Sequence, residues 1–335
     1  MSNRYEIEKF LEHGHYGDLF LAQDLTLNRK VAFRKFTGGT QQELPEDFTS
    51  FKGKLAALNH PNLRVIYDIN SQDGEYFMIS QFTEAERMID RMAQGPTSVA
   101  GVHNMAVDVL DALHALHSVG LIHGALCRES VTRVPRVHGG FRYFLEDVGL
   151  RQLSSIFQGI DVDPPLALFQ TPERLETNQA PQKEDDLFAL GQLCYFALLG
   201  DHPMKKLTAS QICHFYRSGK ELKHLNLYMP EIQTDFADWV MSLISKNPAD
   251  RPKSLEAAMI SLRSIKIKTP YTVKVTQNKR HPRPQLGRTA PRPQKLSAVT
   301  AATPAEMRRS RTDMLLWIML TFTVILLLTL FFSNI

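Results

Sequence analysis

Two hydrophobic periods, one after the other, constrain the first 265 residues more than any other feature. Near the N-terminus the chain alternates with period two: Tyr5 to Leu11, a glycine-bearing turn, Asp18 to Gln23, then Lys30 to Phe36. Successive side chains of a strand point to opposite faces, so this pattern predicts a β-meander. After about residue 100 the period lengthens. Val107, Leu110, Leu113, Leu116 and Val119 recur at helical spacing, as do Leu187, Leu190, Leu193, Cys194 and Ala197. Strands first and helices afterwards predict an α+β fold with a β-rich part followed by a helical part. No internal repeat is evident.

The end of the chain follows other rules. Residues 266–312 hold 12 Lys or Arg against Glu306 alone, a local +11, while residues 1–265 carry −6 of the whole-chain +4. This basic stretch includes Pro282, Pro284, Pro291, Pro293 and Pro304 and has no sustained apolar period, so it reads as a disordered linker. No aromatic side chain beyond Tyr271 interleaves its charges, which argues against nucleic acid as a partner. Met314–Phe332 is then free of charge. At ~1.5 Å per residue it spans roughly 28 Å, about the hydrocarbon thickness of a bilayer. Trp317 lies near its start, and Arg308, Arg309 and Arg311 precede it. Residues 313–335 are therefore expected to form a C-terminal transmembrane helix, and the positive-inside rule puts the preceding residues on the cytoplasmic side. Met1 to Arg34 holds no long apolar run, so no signal peptide is expected. Cys127, Cys194 and Cys213 lack disulfide or metal-ligand spacing, which suits a reducing compartment.

A series of short motifs narrows the fold. In order they are Glu12-His-Gly-His-Tyr-Gly-Asp-Leu19, Val31-Ala-Phe-Arg34, Leu58-Asn-His-Pro-Asn-Leu63, Leu121-Ile-His-Gly-Ala-Leu-Cys-Arg-Glu-Ser-Val131, Asp147-Val-Gly149, Thr171-Pro-Glu-Arg-Leu175, Asp186-Leu-Phe-Ala-Leu-Gly191 and Lys246-Asn-Pro-Ala-Asp-Arg-Pro252. Together they resemble the eukaryotic-type Ser/Thr protein kinases, the bacterial ones in particular. The resemblance implies a bilobal kinase-like fold over residues 4–265, with an N-lobe of about 4–82 and a C-lobe of about 83–265. It also implies that Glu173 pairs with Arg251 and that Asp186 braces the loop at His123. Leu55, His123 and Val148 would stack between the lobes. Gly14, Gly17, Arg34, Ile79, Gln81 and Asp147 fall at nucleotide-binding positions, with Ile79 as gatekeeper, Ser80 to Phe82 as hinge and Asp147 as the magnesium ligand.

The departures from the family pattern concern chemistry. Where the family has His-Arg-Asp, four residues and Asn, this chain keeps His123 but has Gly124, Ala125 and Ser130. An alanine methyl cannot take a proton from a substrate hydroxyl, and a serine hydroxyl is a poorer magnesium ligand than the Asn amide. Cys127 stands where a Lys is common. Glu12 replaces the first loop glycine and faces phosphates with like charge. Arg34 replaces the ammonium of the third strand, and the helix C carboxylate falls on Phe51, with no acid between Phe48 and Pro61. ATP and magnesium are the cofactors that the resemblance implies, and these substitutions count against both. The expected function is a membrane-tethered, cytosolic pseudokinase acting as scaffold or allosteric regulator in signalling. Its partner would be an active kinase, a phosphatase or another membrane complex. Two alternatives stand beside it: an atypical Ser/Thr kinase using Arg34, Asp147 and a base such as Glu129, and a non-catalytic nucleotide or small-ligand sensor. The pairs His13/His15 and His114/His117 read as surface and helix residues rather than metal ligands.

Overall fold

A computed structural model describes residues 4–14, 16–36, 48–72, 75–150, 164–177 and 179–267. The alternating N-terminal segments form β1 (Tyr5–Gly14), β2 (Gly17–Asp24) and β3 (Arg29–Lys35). After α1 (Phe48–Ala57) come β4 (Ile66–Gln72) and β5 (Glu75–Gln81), giving a five-stranded antiparallel sheet in the order β1-β2-β3-β5-β4. Strand alternation sorts its side chains. Tyr5, Ala22, Val31, Phe33 and Ile79 form an apolar cluster on one face, while Ala32, Arg34, Met78 and Ser80 face the cleft on the other. This corrects the placement of Ile79: it is wholly buried on the far face, and its neighbours Met78 and Ser80 face the cleft instead. A strand turns every second side chain away, so a register error of one residue exchanges the faces.

The rest is mainly helical: α2 (Met88–Ala93), α3 (Val99–Ser118), α4 (Pro164–Ala167), α5 (Pro172–Thr177), α6 (Lys183–Leu199), α7 (Ala209–Arg217), α8 (Thr234–Leu243) and α9 (Leu255–Ser264). A small sheet of β6 (Glu86–Arg87), β7 (Val131–Pro135) and β8 (Phe141–Leu145) sits among them. α3 starts at Ser98, whose hydroxyl accepts from the Gly101 N–H, and buries Leu110, Leu113 and Leu116 completely. Each such leucine contributes roughly 1.5–3 kcal/mol. α6 is buried on every side from Asp185 to Leu198, which explains why its apolar residues do not keep to one stripe. Its first turn carries Glu184, Asp185 and Asp186, favourable at the positive end of a helix. It ends at Gly200, in the left-handed region at φ 70°, where a Cβ would come within 2.5 Å of the Pro96 nitrogen.

None of the described helices is long and apolar enough to cross a membrane. Of the expected linker at 266–312 only Lys266 and Ile267 are described; the rest of it and the expected transmembrane helix at 313–335 lie outside the described residues.

Candidate functional site

The cleft between the five-stranded sheet and the helical part encloses about 450 Å³, within the range of small-molecule sites. Leu11, Leu19 and Ala32 line it from β1–β3; Thr132 and Leu145 line it from β7 and β8. Past Gln81 the chain leaves the sheet, and among the described residues Phe82–Ala85 make no backbone–backbone hydrogen bond.

At the inner end of the cleft, Arg34 reaches from β3 to the turn after β8. Its Nη2 donates to Asp147 Oδ1 at 2.8 Å, with the two side chains only 7% and 18% exposed. The Arg34 Nε is buried without a partner. The β1–β2 hairpin lies directly over this guanidinium, since a Cβ on Gly14 would approach Arg34 Nη1 to 3.0 Å. Gly17, at φ 115°, is pressed against the end of β3, where a Cβ would be 2.1 Å from the Lys35 carbonyl oxygen. Tyr16 at the hairpin tip is buried and lines a small cavity with Ala125, Leu166 and Phe169. At the outer end, Arg87, which precedes α2, pairs with Glu12 of β1 and with Asp90. Glu12 is thus tied to the opposite wall.

Asp147 adopts φ 54°, a left-handed conformation that Asp tolerates better than most residues. Gly149 follows at φ 79°, where a Cβ would lie 2.8 Å from Phe51 Cζ and 3.1 Å from Leu55 Cδ2. Phe51 therefore fills the position of the missing helix C carboxylate with a ring packed on the Asp147–Gly149 turn. Leu55, His123 and Val148 are all buried nearby.

The loop at 121–131 is held by its backbone. Asp186 Oδ2 accepts from His123 N at 2.9 Å and Oδ1 from Gly124 N at 2.7 Å; His117 Nε2 donates to the same Oδ2 at 2.7 Å. His123 Nε2 donates to the Glu146 carbonyl at 2.9 Å. Ser130 is spent inside the loop, its hydroxyl accepting from Cys127 N at 2.9 Å and donating to Cys127 O at 3.1 Å. Burial raises the Cys127 thiol pKa far above its ordinary value, which disfavours the reactive thiolate. Farther off, Arg251 Nη1 and Nη2 donate to the two oxygens of Glu173 at 2.6 and 2.9 Å.

One cleft cluster was not visible from the motifs. Arg64 Nε donates to Glu146 Oε1 at 2.7 Å and Nη2 to Thr132 Oγ1 at 3.1 Å, while that hydroxyl donates to the same Glu146 oxygen at 2.6 Å. The Arg64 guanidinium lies over the Phe144 ring at 3.9 Å. Burial raises the Glu146 carboxyl pKa against the opposing pull of Arg64 and Thr132. Among the described residues no group of three or more His, Cys, Asp or Glu side chains is placed to hold a metal ion.

The motifs, the sheet order and this cleft agree with comparisons to known proteins. Residues 5–261 match the protein kinase domain family. The chain is 25% identical over 283 residues to the serine/threonine-protein kinase pkn3 of Myxococcus xanthus, covering 78% of this chain and 50% of that protein. It is 21% identical to PrkC of Bacillus subtilis over 266 residues, covering 76% and 39%. It thus spans half or less of these curated relatives. The kinase domain of Mycobacterium tuberculosis PknI superposes with a TM-score of 0.60 at 18% identity, covering 78% of this chain and 95% of that one. The chain belongs to the protein kinase family.

Proposed function

We propose that this chain is a catalytically inactive kinase-like protein, a pseudokinase that acts as a scaffold or allosteric regulator. Protein kinases as a family use ATP and magnesium, and the residues here fit neither. The observation that carries the reading is the Arg34–Asp147 pair beneath the hairpin. The cation expected to meet phosphate and the carboxylate expected to meet magnesium neutralise each other in the space between Gly14 and the Asp147 turn. Ser130 is committed to its own loop, and Ala125 offers no proton acceptor. Loss of a general base alone costs about 10²–10⁴ in rate, against kinase turnovers of roughly 1–100 per second.

What the fold retains is structural: the Asp186 clasp on the loop and the Arg251–Glu173 fork. A rigid body of this kind can present a surface to an active kinase, a phosphatase or a membrane complex and bias its state. The apolar run at 314–332 supports tethering of this body to the cytosolic face of a membrane as a single-pass, tail-anchored protein. A second reading, a ligand sensor, is favoured by the size of the cleft.

The test is phosphoryl transfer by the purified full chain, with magnesium and ATP, to a generic Ser/Thr protein substrate. No transfer above background is expected. Transfer abolished by Asp147→Ala would refute the reading.

A further inference from the structure

We infer that a second pocket, on the helical part, is a binding site for a free α-amino acid with a large apolar side chain. It shares no lining residue with the cleft, so the inference stands whether or not the cleft is inactive.

The pocket encloses about 390 Å³, within the range of small-molecule sites. It is lined from α7 by Tyr216, from α8 by Met241, and from the segments that follow these helices. Leu222, Met241 and Ile244 give it an apolar wall.

A series of buried hydrogen bonds fixes the direction of one donor there. Met204 N–H donates to His202 Nδ1 at 3.1 Å, which leaves the ring proton on Nε2, and Nε2 donates to Gln192 Oε1 at 3.0 Å. Gln192 then has only its amide N–H to offer, and Nε2 donates to the Tyr216 hydroxyl at 3.1 Å. His202, Gln192 and Tyr216 are each at most 2% exposed. The hydroxyl oxygen is thus engaged as an acceptor, while its own proton finds no acceptor among the described residues. Burial raises the Tyr216 pKa and keeps that proton in place. A buried donor without a partner is costly, and the pocket that Tyr216 lines is the space left for one.

Two charges on the same pocket are also unspent. Among the described residues, the Lys246 ammonium and the Glu221 carboxylate make no ion pair or side-chain hydrogen bond. His224, by contrast, is engaged through both ring nitrogens, with Asp238 and with Asn226 N. A ligand with one charge of each sign meets what is on offer. Its carboxylate takes Lys246 and the Tyr216 hydroxyl, its ammonium takes Glu221, and its side chain covers the apolar wall. A simple anion would instead face Glu221, and a simple amine Lys246, each with like charge.

The experiment is calorimetric titration of the full chain with leucine as the probe. Beside it stand leucinamide, which lacks the carboxylate, and N-acetylleucine, which lacks the ammonium. Leucine is expected to bind, and each derivative to bind about tenfold more weakly or worse. Lys246→Gln should shrink the gap between leucine and leucinamide, and Glu221→Gln the gap between leucine and N-acetylleucine. Tyr216→Phe should weaken leucine by about tenfold. The two derivatives leave the protein unaltered, so they test the inference even if Tyr216→Phe fails to fold. Absence of leucine binding at millimolar concentration overturns it, as does either derivative binding as tightly as leucine. None of these outcomes involves Asp147, so failure of this site and failure of the inactive reading are separately visible.

Discussion

Replacing Asp147 by Asn tests whether that carboxylate is a structural counter-ion. In a kinase that uses this residue only to hold magnesium, the metal-free protein would lose nothing when the charge is removed, and relief of repulsion could even stabilise it. Here Asp147 is the partner of a guanidinium 7% exposed. Breaking a buried pair by removing one member costs about 3–5 kcal/mol, because the remaining charge stays buried. Asp147 is itself 18% exposed, so water partly compensates and the expected loss is about 2–3 kcal/mol. Asn tolerates the left-handed backbone at φ 54° nearly as well as Asp, so the substitution isolates the charge. Asp147→Ala should cost about 1 kcal/mol more, from that conformation. For a domain of this size 1 kcal/mol moves Tm by about 2–4 °C, so Asp147→Asn should lower Tm by roughly 4–12 °C in scanning calorimetry without added metal. Arg34→Met in the same chain should recover most of that loss, because no orphaned cation then remains. A Tm within 1 °C of wild type for Asp147→Asn would refute the pairing argument.

Other perturbations give separate checks. Arg251→Lys replaces a two-bond fork by a single ammonium contact, and denaturant unfolding should show a loss of about 1–2 kcal/mol; an unchanged midpoint would mean that the fork with Glu173 contributes nothing. His202 is held neutral, with Nδ1 accepting from Met204 N and Nε2 donating to Gln192, and burial lowers its pKa from 6.5 to about 4. The unfolded chain therefore binds the proton first, so stability present above about pH 6.5 should fall by roughly 3 kcal/mol as pH drops toward 4. His202→Gln should flatten that slope, and a slope equal to wild type would point to other groups. Deleting residues 313–335 should move the protein from the membrane pellet to the supernatant; retention in the pellet would contradict the anchor.

Some of the site was legible because its chemistry is local in sequence or uses a distinctive pair. Asp186 at the start of an apolar helical segment and Arg251 in a Pro-bracketed turn carry their roles in short motifs. The three N-terminal strands follow from strict alternation. Other features depend on distances that no motif encodes. Arg64 and Glu146 are 82 residues apart in sequence, and each looks like an ordinary surface charge until β7 and β8 bring Thr132 between them. His117 looked like one member of an i, i+3 pair with His114 on one helix. In the fold they diverge: His117 turns inward to Asp186, whereas His114 lies near Glu256. The register at Ile79 is not legible because the continuous apolar run Tyr76–Ile79 carries no polar alternation to fix which residues face the cleft.

The departures at positions 34, 51 and 147 are coupled, so the substitutions there act as one structural arrangement rather than several independent ones. Once position 51 is Phe, a cation at position 34 has no carboxylate on α1. Left buried and unpaired it would cost several kcal/mol. Asp147 is the carboxylate within reach, and the longer, forked side chain of Arg lets Nη2 meet it at 2.8 Å. The phenyl ring of Phe51 meanwhile packs on Gly149, two residues from Asp147. Phe51 thus creates the need for a new counter-ion and supports the turn that supplies it. An isolated Arg34→Lys or Phe51→Glu change would leave the other half of this arrangement in place. Recovery of nucleotide binding should therefore require both substitutions together, along with Ala125→Asp and Ser130→Asn.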